Sequence, residues 1–294
     1  MRHRSFYEAT ARQRIVEILD AHSFAELVGP EQRTVSPHMQ ALQLPVAFDD
    51  GVVVGRGTLH TKPVLIAAQE GGFVGGAVGE VHGAKIVGLL ERARRERPAA
   101  ALLLIDSGGV RLHEANAGLI AVSEIIRAIL AARSDGVTII AAIGGASGCF
   151  GGMGIAAACC SAVVMSEEGR LALSGPEVIE TAHGVEEFDS RDRALVWRTM
   201  GGKHRYLLED CDVLVDGDME GFRAGIAAAM EAPQSLTLEA LEREQAMLAR
   251  RLQIFSSSRD GRDVWRTLGW PNPETVPLVP TDVFLAQAAA LRAA

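Results

Sequence analysis

Two glycine-rich stretches each follow an apolar run and open a segment of helical periodicity. They are IDSGGVRLHEA (105–115) and GGASGCFGGMG (144–154). A helix N-terminus carries unpaired backbone N–H groups and a partial positive charge. Glycine lets those groups approach an oxygen with no β-carbon in the way. Two N–H groups converging on one thioester oxygen form an oxyanion hole, which stabilises an enolate. Six of the eleven residues at 144–154 are glycine, and close helix–strand packing explains them equally well on spacing alone. A third cluster, EGGFVGGAVGE (70–80), poses the same choice.

Other chemistries find less support. The chain contains no GxxxxGK[ST], and no GxGxxG opening a helix with an acid about 20 residues further on. Ser147 sits in G-A-S-G-C and so lacks the final glycine of a nucleophile elbow. His113 and His183 are the candidate bases for it. Cys149, with no base marked in the sequence, reads as a small buried residue. Arg111 either meets a carboxylate or phosphate of the substrate, or pairs locally with Glu114. The segment ARRER (93–97) reads as a solvated helix end.

Bulk properties narrow the class. A net charge of −8 and a pI near 5.5 argue against a broad nucleic-acid face. The chain is 48% hydrophobic but only 5% aromatic, so its core is aliphatic and alanine-rich. No apolar stretch approaches a membrane span, and the charged start MRHRSFYEATARQR lacks the apolar segment of a signal peptide. Four cysteines without a CxxC pair indicate neither a zinc ribbon nor a disulfide framework. The expectation is a cytoplasmic chain with no metal site, no nucleic-acid partner and no membrane.

The elements that must position the glycine loops follow from periodicity. Residues 1–30 read as helical, with Ile15, Ile18, Leu19 and Phe24 on one side, and a connector runs from Val35 to Pro45. Residues 49–70 read as strand, turn, strand. EVHGAKIVGLLERARRE is a helix ending before Pro98, and AAALLLIDSGG is a buried strand stopped by glycine. A helix from Glu114 to Ala132, the strand GVTIIAAI and a small-residue helix follow. AVVMSE and RLALSG read as a strand pair, and Pro176 sits in the first turn of the next helix. The segments 236–255 and 280–294 are helical again. This is one α/β unit built from a ββα repeat.

The motifs DGVVVGRGTL, EGGFVGGAVGEVHGAKIVGLLE, DSGGVRLHEA, CFGGMG and LSGPEVIE, in that order, resemble the carboxyltransferase branch of the crotonase superfamily over about residues 45–220. That branch includes β subunits of acetyl-CoA carboxylase, acyl-CoA carboxylase carboxyltransferases and β subunits of malonate decarboxylases. A single half-length domain without a four-cysteine zinc ribbon is most similar to the malonate decarboxylase β-subunit family. His113 stands where carboxylases usually have Gln.

The resemblance implies a crotonase-like ββα spiral fold over 46–230, with helical extensions at 1–45 and 231–294. It implies cleavage of a malonyl thioester, carried on the CoA-like prosthetic group of an acyl carrier protein, with no cofactor bound by this chain. It also implies a second crotonase-like subunit, γ, and an acyl-transferase subunit, α. The N–H donors carried over by motif are those of Phe150, Gly151 and Gly152, with Gly108 and Gly109 as a second set. Substrate contacts carried over are Ser107, Arg111, Gly75, Gly76, Gly175 and Pro176. The Phe150 side chain is expected to matter little. A carboxyltransferase subunit of a biotin-dependent acyl-CoA carboxylase is the alternative, and a non-catalytic scaffold subunit whose glycines only pack is a third reading. A crotonase-type hydratase or thioesterase is disfavoured by the lack of paired glutamates in the two loops.

Overall fold

The computed structural model describes residues 4–292. A seven-stranded sheet is laid down in strict chain order: β1 (Ala25–Glu26), β2 (Val52–Leu59), β3 (Lys62–Gln69), β4 (Ala100–Ile105), β5 (Ile139–Ile143), β6 (Ala162–Ser166) and β7 (Val213–Val215). β1 to β3 pair antiparallel, whereas β3 to β7 pair parallel. The helices are α1 (Ala11–Ile18), α2 (Pro37–Ala41), α3 (Glu80–Glu96), α4 (Asn116–Ser134), α5 (Gly152–Ala158), α6 (Pro176–His183), α7 (Arg193–Met200), α8 (Gly202–Leu207), α9 (Met219–Glu231), α10 (Leu238–Phe255), α11 (Gly261–Thr267) and α12 (Thr281–Arg292).

Sequential parallel strands with crossovers of one hand place their connecting helices on one face of a sheet. Accordingly α3, α4 and α5 share one core with Leu103 and Ile105 of β4. The alternate residues Leu102 and Leu104 face a second core, covered by α1 and α9. All six residues of β4 and all five of β5 are buried, as strands enclosed on both sides require. Phe6 stacks on Phe222 at 3.7 Å in the second core, and Phe284 of α12 joins the first.

Local chemistry sets the element ends. Thr10 and Gln13 form a capping box at α1. Of the predicted helix over residues 1–30, positions 1–3 lie outside the described residues, and among the rest only Ala11–Ile18 are helical. Beyond it the chain extends and the Asp20 carboxylate takes the Thr58 hydroxyl and the His60 and Thr61 N–H groups, tying it to the β2–β3 turn. Ala25 and Glu26 then pair with β2. The connector carries the short α2, capped by Ser36. RLALSG is not a second strand beside β6. It lies outside the sheet, with single bridges from Leu171 to Cys149 and from Arg170 to Gly201.

Candidate active site

The loops leaving β3, β4, β5 and β6 continue side by side beyond the sheet, where parallel α/β sheets place their ligands. Single parallel bridges join Val78 to Val110, Ser107 to Cys149, and Cys149 to Leu171. The two glycine motifs are therefore neighbours. Ser107 N–H donates to the Gly148 carbonyl at 2.7 Å, and Phe150 N–H donates to the Ser107 carbonyl at 3.0 Å. A β-carbon on Gly151 would lie 3.3 Å from the Gly109 Cα.

Most N–H groups named from the motifs are engaged in holding this stack. Phe150 donates to Ser107, Gly151 to the Leu173 carbonyl at 2.9 Å, and Gly108 to the Gly75 carbonyl at 2.8 Å. Gly109 N–H donates to Ser107 Oγ at 3.2 Å. Gly152 and Met153, the first two residues of α5, are different: their N–H groups have no acceptor among the described residues, as the first turn of a helix dictates. Gly152 is half-buried, and a β-carbon there would meet Val122 Cγ1 at 2.3 Å. Of the free donors, Gly152 is one that the motif names, and Met153 lies one step further along the chain.

The expected substrate contacts divide. The Ser107 hydroxyl is buried and bonds the backbone of Gly109. Gly76 packs on the Asp106 carbonyl, where a β-carbon would come within 1.8 Å, while Gly75 faces open space. Gly175 lies beside the Phe150 ring, and Pro176 is a buried first residue of α6. Phe150 itself is 4% exposed and packs with Val196 and Met200 of α7. Its side chain therefore seats the α6–α7 segment on the glycine loop, contrary to the expectation that it matters little.

Arg111 is not a substrate ligand in this arrangement. Its guanidinium is turned inward, fully buried, with Nη1 on both Asp50 oxygens at 3.0 Å and on Glu114 Oε1 at 2.8 Å. Glu114 Oε2 accepts the first N–H of α3, from Glu80, at 2.6 Å. Asp50 Oδ2 accepts the His82 N–H at 3.0 Å. Burial, with Arg111 close by, holds the His82 imidazole down at about 3, so it is neutral. The network braces the start of α3 against the loop that follows Gly109.

Asp106 has no counterpart among the residues named from the motifs; its only sequence mark is its place before the SGG turn. Its carboxylate is buried, accepts the Ser147 N–H at 2.6 Å and pairs with Arg14 of α1 at 2.9 Å. Burial pushes its carboxyl above the usual range, and the Arg14 charge opposes that. Among the described residues Ser147 Oγ reaches only the Gly71 carbonyl, and no base there activates it. Cys149 is fully buried, and burial raises its thiol well above the ordinary range, which leaves no thiolate to act as nucleophile. His113 lies exposed at the rim. Among the described residues no group of His, Cys, Asp or Glu side chains could hold a metal ion, and no helix is long and apolar enough to cross a membrane.

A sheet of this order, with adjoining glycine loops at its carboxyl end and N–H donors at a helix start, is the crotonase-like arrangement. Residues 3–212 match the carboxyl transferase domain family, and the chain belongs to it. It is 42% identical to the malonyl-S-ACP:biotin-protein carboxyltransferase MADC of Malonomonas rubra, over 99% of this chain and 97% of that one. A chain of the Pseudomonas malonate decarboxylase hetero-tetramer, crystallised in complex with malonate, superposes with a TM-score of 0.83 at 41% identity, over 90% of this chain and 98% of that one. The methylmalonyl-CoA carboxyltransferase 12S subunit of Propionibacterium freudenreichii is 32% identical over 69% of this chain but only 38% of its own length.

Proposed function

We propose that this chain is the β subunit of a malonate decarboxylase. With a γ subunit of similar fold, it converts a malonyl thioester on an acyl carrier protein into the acetyl thioester and CO2. The observation that carries this reading is the near end-to-end similarity to proteins of malonyl-thioester chemistry, with the two glycine loops in contact at the expected place.

The chemistry follows from the donors. The Gly152 and Met153 N–H groups, at the positive end of α5, polarise the thioester carbonyl oxygen. Beside them Gly109 packs on the Phe150–Gly151 backbone, and Gly75 faces open space. With the carboxylate perpendicular to the carbonyl plane, the C–C bond electrons move into the carbonyl system as CO2 departs. The resulting enolate oxygen is held by the N–H groups, each contributing about 3–4 kcal/mol in comparable sites. Protonation at carbon then gives the acetyl thioester. No nucleophile on this chain is required.

The surroundings suit a carrier-bound substrate. A cleft of about 410 Å3 begins one residue past the two donors, at Gly154 and Leu173, and runs along α5 toward Leu241 of α10. Leu112, Leu119, Ile120 and Leu173 stand more than half exposed beside the loops, an apolar rim for the γ subunit to cover. The acyl carrier protein and an acyl-transferase α subunit complete the assembly, which we place in the cytoplasm. Within the chain, residues 46–230 carry the chemistry, and the extensions 1–45 and 231–294 support it: Phe6 and Arg14 enter from the first, Trp265 and Phe284 from the second.

The test is reconstitution with the γ and carrier subunits and measurement of CO2 released from the malonyl thioester, with and without avidin. Release insensitive to avidin is the expected result. The alternative, transfer of CO2 to a biotin protein, is favoured by the name of the Malonomonas relative; strict dependence on a biotin protein would establish it. Both reactions share the enolate.

A further inference from the structure

We propose that Asp106 is the positioning residue of the enolate site, its carboxylate wedging three glycine loops at a fixed spacing. The proposal rests on the decarboxylase reading above. One loop leaves β3, one β4 and one β5, and Asp106 touches all three. A β-carbon on Gly71, in the first loop, would lie 2.5 Å from Asp106 Oδ2. A β-carbon on Gly145, in the third, would lie 2.4 Å from both carboxylate oxygens. The carboxylate therefore lies flat between two bare Cα atoms, and those two glycines exist to admit it. The Asp106 carbonyl covers Gly76 of the first loop, and the next residue, Ser107, bonds Gly148 and Phe150 of the third.

Both oxygens face donors. Oδ1 takes the Ser147 N–H at 2.6 Å, and Oδ2 takes Arg14 Nη1 at 2.9 Å. Arg14 is 1% exposed and is fixed in turn by the Phe6 and Tyr7 carbonyls and by the Phe6 ring. The first N–H of α1, from Ala11, donates to Glu70 at the end of β3. The N-terminal segment thus clamps the ends of β3 and β4, and its one buried arginine or lysine among the described residues, Arg14, pairs with the wedge. An asparagine at 106 has the right shape but offers one acceptor and one donor to two donors. It must turn its amide against either Arg14 or Ser147 N–H, so the third loop shifts and carries the start of α5 with it. A displacement near 1 Å at reacting atoms costs about 100-fold in rate.

The experiment uses the assembled complex with its γ subunit and a malonyl thioester, comparing Asp106→Asn, Arg14→Lys and the double variant Arg14→Met/Asp106→Ala, which takes the wedge away altogether. The double variant removes both buried charges, so it decides the question if Asp106→Asn alone does not fold. Expected is a fall in kcat of about 100-fold with little change in KM for Asp106→Asn or the double variant. Arg14→Lys, which keeps a cation on the carboxylate, retains most of the turnover. Folded, assembled variants with kcat unchanged, or with a loss confined to KM, overturn the proposal. If the unaltered complex cleaves no malonyl thioester, the functional reading falls and amide exchange decides the wedge. Faster exchange over residues 144–153 in the double variant, with α9 unchanged, supports it; unchanged exchange over 144–153 overturns it.

Discussion

Gly151 and Gly109 face each other across the seam between the two glycine loops, the space for a β-carbon on Gly151 ending 3.3 Å from the Gly109 Cα. Gly151 also adopts φ +58°, where a β-branched residue is strained. Gly151→Val is therefore expected to push the loops apart and misaim the N–H groups that follow it. Turnover of the malonyl thioester falls at least about 100-fold, the order found for loss of one oxyanion donor. The check is kcat of the assembled complex alongside its size-exclusion profile. Full activity in an intact assembly would sink the oxyanion-hole reading.

Arg111→Met leaves the Asp50 and Glu114 carboxylates buried without their cation. Breaking a buried ion pair from one side costs about 3–5 kcal/mol, so the urea midpoint should drop sharply. Were Arg111 a substrate ligand instead, the variant would keep its stability and raise KM. Denaturation curves and Michaelis parameters on the same preparation separate the two.

Phe150→Ala removes the ring on which Val196 and Met200 rest. A Phe→Ala change in a packed cluster costs about 3–5 kcal/mol, and here the loss falls on the docking of α6 and α7. The expected sign is faster tryptic cleavage at Arg191 or Arg193, followed by mass spectrometry, together with reduced turnover. Unchanged proteolysis would show that the ring does not hold this segment.

Two buried histidines make stability depend on pH. Burial, with Arg111 near His82 and Arg205 near His204, holds both imidazoles down at about 3, against 6.5 when exposed. His204 Nδ1 accepts the Trp265 indole N–H at 3.2 Å, which needs the neutral ring. Between pH 6.5 and 3 the unfolded chain binds these protons and the folded one does not. Stability contributed by the neutral rings is thus intact above pH 6.5 and lost as pH falls toward 3, by about 1.4 kcal/mol per pH unit for each histidine. Urea titrations at pH 7, 6 and 5 measure the slope, and His204→Gln should lessen it.

Much of the architecture was legible before folding, because it is written in short-range patterns. The runs AALLLI and IIAAI, each halted by glycine, mark buried strands wherever they are met. The helix over 80–96 is bounded by its own periodicity and by Pro98. The resemblance carried by five motifs in order marked DSGG and CFGG as two sets of donors for one site. Residues 19–30 and RLALSG were misread because neither has a local cause: Asp20 is held by a turn some 40 residues away, and Leu171 pairs with a loop rather than a strand.

What the tertiary structure alone decided is which groups are free to act. A glycine's N–H looks the same in sequence whether it faces a substrate or a neighbouring carbonyl. The N–H groups of Phe150, Gly151 and Gly108 are taken up by the Ser107, Leu173 and Gly75 carbonyls, while Gly152 stays free and Met153, which no motif named, joins it, because a helix start has no acceptor to offer. Arg111 turned inward because its partner Asp50, 61 residues away in the chain, lies in the low-dielectric interior. Hydrogen bonding saturates and burial is collective, so both depend on the whole packed chain; periodicity and glycine placement do not, and they are what the sequence determined by itself.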